Sequence, residues 1–215
     1  MEQEKRKIVY LVIGKGMENT KSYLLERDSY IIGVDKGAFL LAKEGLSFDE
    51  AVGDFDSTNE EELKLVKCFA KKITKLNPIK DDSDTAHAYE EYKNKADRIV
   101  IVGGIQGKRI EHFFANMTLL IKDKRVSFVD KDSRIYSVSS RKSTYCFKNK
   151  NCFYSFFPLQ KSVLSLKGFK YPLEGKTLEK GDPLGLSNEL ASEEGILALE
   201  KGRLLVVETK KEANS

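Results

Sequence analysis

The sequence predicts an α/β protein in two parts. An N-terminal three-layer domain built on a parallel sheet spans residues 1–130, and a C-terminal all-β, sandwich-like domain spans residues 131–215. Three observations carry this. Up to about residue 130, short β-branched runs alternate with segments whose apolar residues recur at helical spacing, the rhythm of βαβ units. Beyond it, β-type runs follow one another across polar turns with no strong helical pattern. No Gly/Ser/Pro-rich linker and no internal repeat separates the two regions.

In chain order, KIVYLVI, YIIGV, DEAVG, KKITKL, RIVIVGG and VSFVD read as strands apolar on both faces, as a sheet covered on both sides requires. MENTKSYLLER, AFLLAKEG, NEEELKLVKCFA, DTAHAYEEYKNK and RIEHFFANMTLLIK read as the helices between them. In the last helix, Phe113, Phe114, Met117, Leu120 and Ile121 are expected to form the buried stripe. In the second region SRIYSVSS, STYCF, CFYSFFPL, SVLSLKG and GILALEKGRLLVVET read as β pieces, and EKG at 200–202 reads as a hairpin turn.

With 215 residues and 40% hydrophobic content, the chain can bury a substantial core. No run approaches a transmembrane span, and Ile8–Ile13 reads as a first strand rather than the core of a signal peptide. Cys68, Cys146 and Cys152 form no CxxC pair or Cys/His cluster. That pattern argues against structural zinc and for a reducing, cytoplasmic setting, with Cys68 expected in the core. Residues 1–130 carry 22 Lys/Arg against 23 Asp/Glu, and residues 131–215 carry 15 against 10. The basic residues of the second part are spread singly, so solvated surface is expected rather than a nucleic-acid or membrane face.

Ligands of an open parallel sheet bind beyond the carboxyl ends of its strands. Four polar clusters fall there: Asp35-Lys36-Gly37; Gly53 to Ser57; Lys80 to Thr85, with Ser83 and Asp84; and Gly103 to His112, with Gly104, Lys108, Arg109 and Glu111. Singly, each is most often a helix cap or a turn. Together on one sheet edge they describe a site. If the strand stays extended through VGDFDS, Asp54 and Asp56 project to the same side, and Asp84 and Glu111 could approach from neighbouring strand ends. Such hard oxygen ligands need a cation. Mg2+ suits them, because it takes one or two carboxylates and completes its shell with water and substrate phosphate oxygens. Lys80 and Arg109 add positive charge, and the glycines admit backbone N–H groups to an anion. Carboxylates, metal, basic side chains and glycines together are phosphoryl-transfer machinery. GGIQGKR is not a P-loop, its glycines being one residue too close with Arg109 where Ser or Thr would hold Mg2+, and GxGxxG is absent. His87 and His112 are too distant in sequence to suggest a metal pair; His112 adjoins the site.

In order, the DKG, GDFDS, KDDSDT and GKRIEHFFANMTLL segments resemble the thiamine pyrophosphokinase (thiamine diphosphokinase) family, whose pattern runs DxG, GDxDS, KDxTDT, GGRxDHxxxNxxLL. GFKYPLEGKTLEKGDPLGLSNEL resembles that family's thiamine-binding β domain, so the likeness spans nearly the whole chain. The resemblance implies transfer of the pyrophosphoryl unit of ATP to the hydroxyl of thiamine, leaving AMP. It also implies a homodimer, with thiamine held between one subunit's α/β domain and the other's β domain. By the same resemblance Asp54, Asp56 and Asp84 are the metal and substrate carboxylates, and Arg109 and Glu111 the R-x-D pair. Ser57 and Ser83 are flanking hydroxyls, and Ser187 and Asn188 face thiamine. Glu111 stands where Asp is usual, moving the carboxylate outward by about 1.5 Å, and Lys108 stands where Gly is usual. The rival readings are a non-catalytic nucleotide- or phosphate-binding protein and a kinase for another small alcohol.

Overall fold

A computed structural model describes residues 6–14, 17, 19–77, 83–106, 110–141 and 143–211, which divide between a unit of residues 1–131 and a unit of residues 132–215. In the first unit lie β1 (Arg6–Val12), β2 (Ser29–Val34), α1 (Lys36–Lys43), β3 (Phe48–Gly53), α2 (Glu60–Phe69) and β4 (Ala70–Lys75). They are followed by α3 (Asp84–Tyr92), β5 (Ala96–Val102), α4 (Ile110–Lys122) and β6 (Val126–Val129). The strands are all parallel in the order β4-β3-β2-β1-β5-β6. The order reverses between β1 and β5, so a crevice opens at their carboxyl ends.

Strand alternation sorts the sheet's two faces. Tyr10 sits opposite Ile31, and Val12 and Ala51 both pair with Gly33; these residues face α1 and α2 and pack with Ala38, Leu41 and Val66. Leu11, Ile32 and Glu50 align on the other face, against which α3 is held by a bond from Tyr92 to Glu50. Two glycines make the first face possible. A Cβ on Gly33 would lie 2.4 Å from Cα of Ala38, and one on Gly37 would lie 1.8 Å from the carbonyl oxygen of Val12. Helix α1 therefore starts in backbone contact with the end of β1.

Several expectations fail for identifiable reasons. Among the described residues of 17–27 the regular structure is a 3-10 turn, Thr20–Tyr23, preceded by Asn19 with a left-handed φ of 56°. The Thr20 N–H and hydroxyl both go to the Glu44 carboxylate, a long-range pairing that replaces helical bonds. Of the expected stripe on helix α4 only Leu120 is buried, and its buried neighbours are Asn116 and Leu119. Phe114 is 64% and Ile121 48% exposed, while Phe113 and Met117 are half-buried. Cys68 is exposed on α2, and the buried cysteine is Cys152. No helix among the described residues is long and apolar enough to cross a membrane.

The second unit stacks two antiparallel layers. One has the order β7 (Ser133–Ser139), β13 (Arg203–Lys210), β9 (Cys152–Pro158). The other runs β11 (Leu173–Leu178), β10 (Ser162–Lys167), β12 (Gly195–Lys201), β8 (Thr144–Phe147). Alternate residues from both, including Val138, Leu164, Leu197 and Leu204, fill the space between. At its centre Phe147, Tyr154, Phe156 and Phe169 meet edge to face. The EKG turn is not a hairpin. Strand β12 pairs in one layer and β13 in the other, so the turn is a corner between layers. Gly202 makes that corner with φ 103°, in a position where a Cβ would strike Ser162.

Gly37→Ala is expected to cost about 3 kcal/mol or more, since the new methyl can be relieved only by moving α1 off β1. Urea unfolding measures this, and a midpoint equal to that of the wild type would contradict the packing account.

Candidate active site

Three carboxylates converge at the carboxyl edge of the parallel sheet. Asp35 follows β2 and caps α1 with φ 48° and ψ −117°, a conformation non-glycine residues rarely adopt. Two bonds fix it there: its N–H donates to the Val52 carbonyl at 2.8 Å, and its own carbonyl accepts from the Ala38 N–H at 3.0 Å. The turn lies so close to β3 that a Cβ on Gly53 would be 3.1 Å from Cα of Asp35. Gly53 thus brings the end of β2 to the end of β3.

Asp54 comes next, and here the backbone departs from the extended form the sequence suggests. Strand β3 ends at Gly53, Phe55 turns left-handed with φ 58°, and its ring is buried. The Asp54 carboxylate accepts the Asp56 N–H at 3.0 Å across this turn. Asp54 and Asp56 therefore do not share a side as an unbroken strand would require. Asp56 and Ser57 are exposed beyond the turn, and Asp56 lies outside the carboxylate group. Asp84 arrives from the other direction as the first residue of α3, whose N-cap Ser83 accepts the Ala86 N–H at 3.2 Å. The Ser83 hydroxyl thus has a capping role.

Asp35, Asp54 and Asp84 each present a carboxylate oxygen, and these oxygens lie within 4.8 Å of one another. Oδ1 of Asp35 is buried with no hydrogen-bond partner. Burial first, then the Asp84 and Asp54 carboxylates, raise the Asp35 pKa against the opposing pull of the Lys36 N–H and ammonium. An unpartnered buried oxygen beside two further carboxylates fits a hard divalent cation. The sequence reading put Asp35 among the nucleotide contacts. Its rare backbone conformation, invisible in the sequence, turns it towards the Asp54 and Asp84 carboxylates.

The remaining expected residues divide. Gly37 packs α1 on β1, where a Cβ would strike the Val12 carbonyl. Gly103 and Gly104 both take positive φ, and Gly103 approaches Gly14 so closely that a Cβ on it would be 2.4 Å from the Gly14 Cα. That contact joins the ends of β1 and β5 at the point where strand order reverses. Glu111 and His112 are exposed on the first turn of α4, 4.0 Å apart, and Glu111 is not part of the carboxylate group. Lys80, Lys108 and Arg109 lie outside the described residues.

In the second unit Ser187 is exposed with a left-handed φ of 52°, its N–H donating to the Ser155 hydroxyl. Asn188 is 3% exposed, and its side chain is engaged inside the protein. Its Oδ1 accepts the N–H groups of Tyr171 and Glu189, and its Nδ2 donates to the Tyr171 carbonyl at 2.7 Å. Asn188 therefore locks the backbone of Tyr171 on both sides instead of presenting its amide to a ligand. Tyr171 itself is 58% exposed. It was not among the expected site residues, and the only sequence signal for it is an aromatic in the GFKYPL turn.

Residues 22–129 match the family described as Thiamin pyrophosphokinase, catalytic domain, and residues 136–204 match Thiamin pyrophosphokinase, vitamin B1 binding domain. Thiamine pyrophosphokinase of Bacillus subtilis (strain 168) is 32% identical over 182 residues, covering 82% of this chain and 85% of that protein. The crystal structure of thiamine pyrophosphokinase from Bacillus subtilis superposes with a TM-score of 0.81 at 28% identity, covering 96% of this chain and 100% of that one. For thiamin pyrophosphokinase from Geobacillus thermodenitrificans the TM-score is 0.79 at 28% identity, covering 96% and 99%.

A metal-free Asp35→Asn variant is expected to be more stable than the wild type, because it removes the repelling charge and Asn tolerates positive φ. The folded-state pKa of Asp35 is raised, so stability tied to its protonated form is present below the ordinary aspartate range and is lost as pH rises through the folded value. Melting curves should coincide at low pH and separate by about 2–4 °C near neutrality. A variant less stable than the wild type at pH 8 without metal would contradict the repulsion.

Proposed function

The chain belongs to the thiamine pyrophosphokinase family, and from that premise we propose that Asp35, Asp54 and Asp84 hold the Mg2+ with which it works. The protein is a thiamine diphosphokinase. It transfers the pyrophosphoryl group of ATP to the hydroxyl of thiamine, giving thiamine diphosphate and AMP. The observation that carries the metal reading is a carboxylate, Asp35, that has a buried, unpartnered Oδ1 and groups an oxygen within 4.8 Å of oxygens of two other carboxylates. Three carboxylates would repel a triphosphate, and a divalent cation makes the two compatible. When bound, Mg2+ supplies charge neutralisation on the phosphate oxygens.

The protein's own groups do the rest by position. Strand ends β2 and β3 and the first turn of α3 each deliver one carboxylate, and the Asp56 N–H holds that of Asp54 in place. The positive-φ glycines 103 and 104 keep side chains away from the crevice mouth, where an anion needs backbone access. In the transfer itself the thiamine hydroxyl oxygen forms a bond to the β-phosphorus of ATP. The bond from that phosphorus to the α,β-bridging oxygen breaks, AMP leaves with the electron pair, and the hydroxyl proton passes to solvent. Tyr171, anchored by Asn188, is the aromatic surface we assign to the thiamine ring. The row of exposed apolar residues on α4, Ile110, Phe114 and Ile121, supports a homodimer, because such a row is costly to leave in water. In that dimer each thiamine is shared between the α/β domain of one subunit and the β domain of the other.

Purified protein incubated with ATP, Mg2+ and thiamine is expected to yield AMP and not ADP. Asp54→Ala should lower turnover by at least about a hundredfold, whereas Asp56→Ala should stay within about tenfold, its backbone N–H being retained. Equal losses in the two variants would return Asp56 to the metal group and refute the arrangement derived from the turn at Phe55.

Tyr171→Ala is expected to raise the thiamine KM about tenfold with kcat nearly unchanged, the mark of lost ground-state binding. Mixed with inactive Asp54→Ala under conditions of subunit exchange, and assayed at thiamine well below the raised KM, it should turn over several-fold faster than the unexchanged mixture, through one intact shared site per heterodimer. Phe114→Glu should sediment as a monomer and abolish that gain. A mixture in which exchange is confirmed by mass spectrometry yet turnover does not rise would rule out the shared site.

A further inference from the structure

The helix that delivers Asp84 is held chiefly from its far end. Helix α3 turns Thr85, Ala88, Tyr89 and Tyr92 inward, so its apolar anchorage is one methyl and two rings. Both rings end in polar bonds, that of Tyr92 buried and that of Tyr89 half-buried. The Tyr92 hydroxyl donates to Glu50, a residue only 2% exposed in the middle of β3. Glu50 also accepts from Lys72 Nζ at 2.8 Å, the Thr74 hydroxyl at 2.5 Å and the Tyr30 hydroxyl at 3.1 Å. One carboxylate thereby ties β2, β3, β4 and α3 together. Burial opposes its ionisation, but the bonds from Lys72, Thr74 and Tyr92 outweigh that and hold its pKa below the usual carboxylate range. The second anchor is Tyr89, whose hydroxyl donates to Asp123 at 3.1 Å. Asp123 is itself gripped by the Arg125 guanidinium, which also donates to the Ala96 carbonyl.

Eight residues of helix separate Tyr92 from Asp84, about 12 Å along the axis, and Glu50 lies four residues before Asp54 on β3. Tyr92 and Asp84 thus stand at opposite ends of α3, and Glu50 lies inside β3 while Asp54 lies just past its carboxyl end. At the site end, Asp84 is pressed towards Asp35 and Asp54, whose charges push it away. The polar clamp opposes that push. We infer that Glu50 and Asp123, acting through Tyr92 and Tyr89, are positioning residues that set where Asp84 stands against Asp35 and Asp54. The inference rests on the metal reading given above for those three carboxylates. It predicts that a lost hydroxyl remote from the ligands degrades the cation site itself, as outer supports of metal ligands do.

The test is Mn2+ titration of the full-length protein, followed by the EPR signal of free Mn2+. Asp54→Asn should abolish saturable binding. Tyr92→Phe should weaken it about fivefold to tenfold, and Tyr89→Phe/Tyr92→Phe further. Val66→Ala, a cavity in the α2 core, should keep Mn2+ affinity within twofold of wild type despite a comparable fall in Tm. Either single Tyr variant decides if the double variant fails to fold. Tyr variants that bind Mn2+ like the wild type, while Asp54→Asn does not, would overturn the clamp and leave the metal group standing. Equal weakening by Val66→Ala would also overturn it, by reducing the effect to stability. Wild-type binding in Asp54→Asn, or none in the wild type, would remove the metal reading and the clamp with it.

Discussion

Everything in the first unit answers to one electrostatic problem: three aspartates must be kept together although their charges drive them apart. At a separation within 4.8 Å, paired carboxylates repel by several kcal/mol unless water or a cation screens them. Nothing intrinsic to a strand end would hold such a group. The backbone does it. Asp35 is held in a rare conformation by two main-chain bonds, Gly53 gives up a side chain so that the β2 turn can lie against β3, and the Asp56 N–H restrains Asp54. The fold spends stability on this arrangement, as functional sites commonly do. Regions without such a burden follow ordinary packing rules.

The second unit faces no comparable conflict and is built the other way round. An aromatic cluster and aliphatic residues from both layers fill its interior, and the side chain of Asn188 is buried with its bonds serving the main chain. The buried amide organises the loop, and the exposed ring of Tyr171 is the result. That ring is carried by a turn, and rigidity comes from the layers beneath.

Much of this was legible in the sequence. The alternation of β-branched runs with amphipathic segments gives the parallel sheet and its helices, and the change of rhythm near residue 130 gives the antiparallel layers. Strand β11 escaped because four of its six residues are exposed and show no alternation. The polar clusters pointed to the correct edge of the sheet, and two of the three grouped aspartates, Asp54 and Asp84, were among the expected metal ligands. What the sequence does not encode locally is backbone handedness. Left-handed turns at Asp35 and Phe55 exchange Asp56 for Asp35 in the group, and no residue type there announces them. Helical periodicity likewise finds an apolar helix but not which apolar face the sheet takes. In α4 the buried face centres on Asn116, Leu119 and Leu120, leaving Phe114 to solvent in the monomer. The bonds Asn188 makes to the chain were hidden for a related reason, since an amide in a turn looks alike whether it binds a ligand or the chain.

The central claim is that Asp35, Asp54 and Asp84, and not Asp56, form the cation site. The most direct measurement is the anomalous scattering of Mn2+ soaked into crystals of the protein. The account predicts one anomalous peak within coordination distance of carboxylate oxygens from Asp35, Asp54 and Asp84, with the Asp56 side chain away from it. A peak ligated by Asp56 with Asp35 standing apart, or crystals saturated with Mn2+ and no peak among the three aspartates, would contradict it.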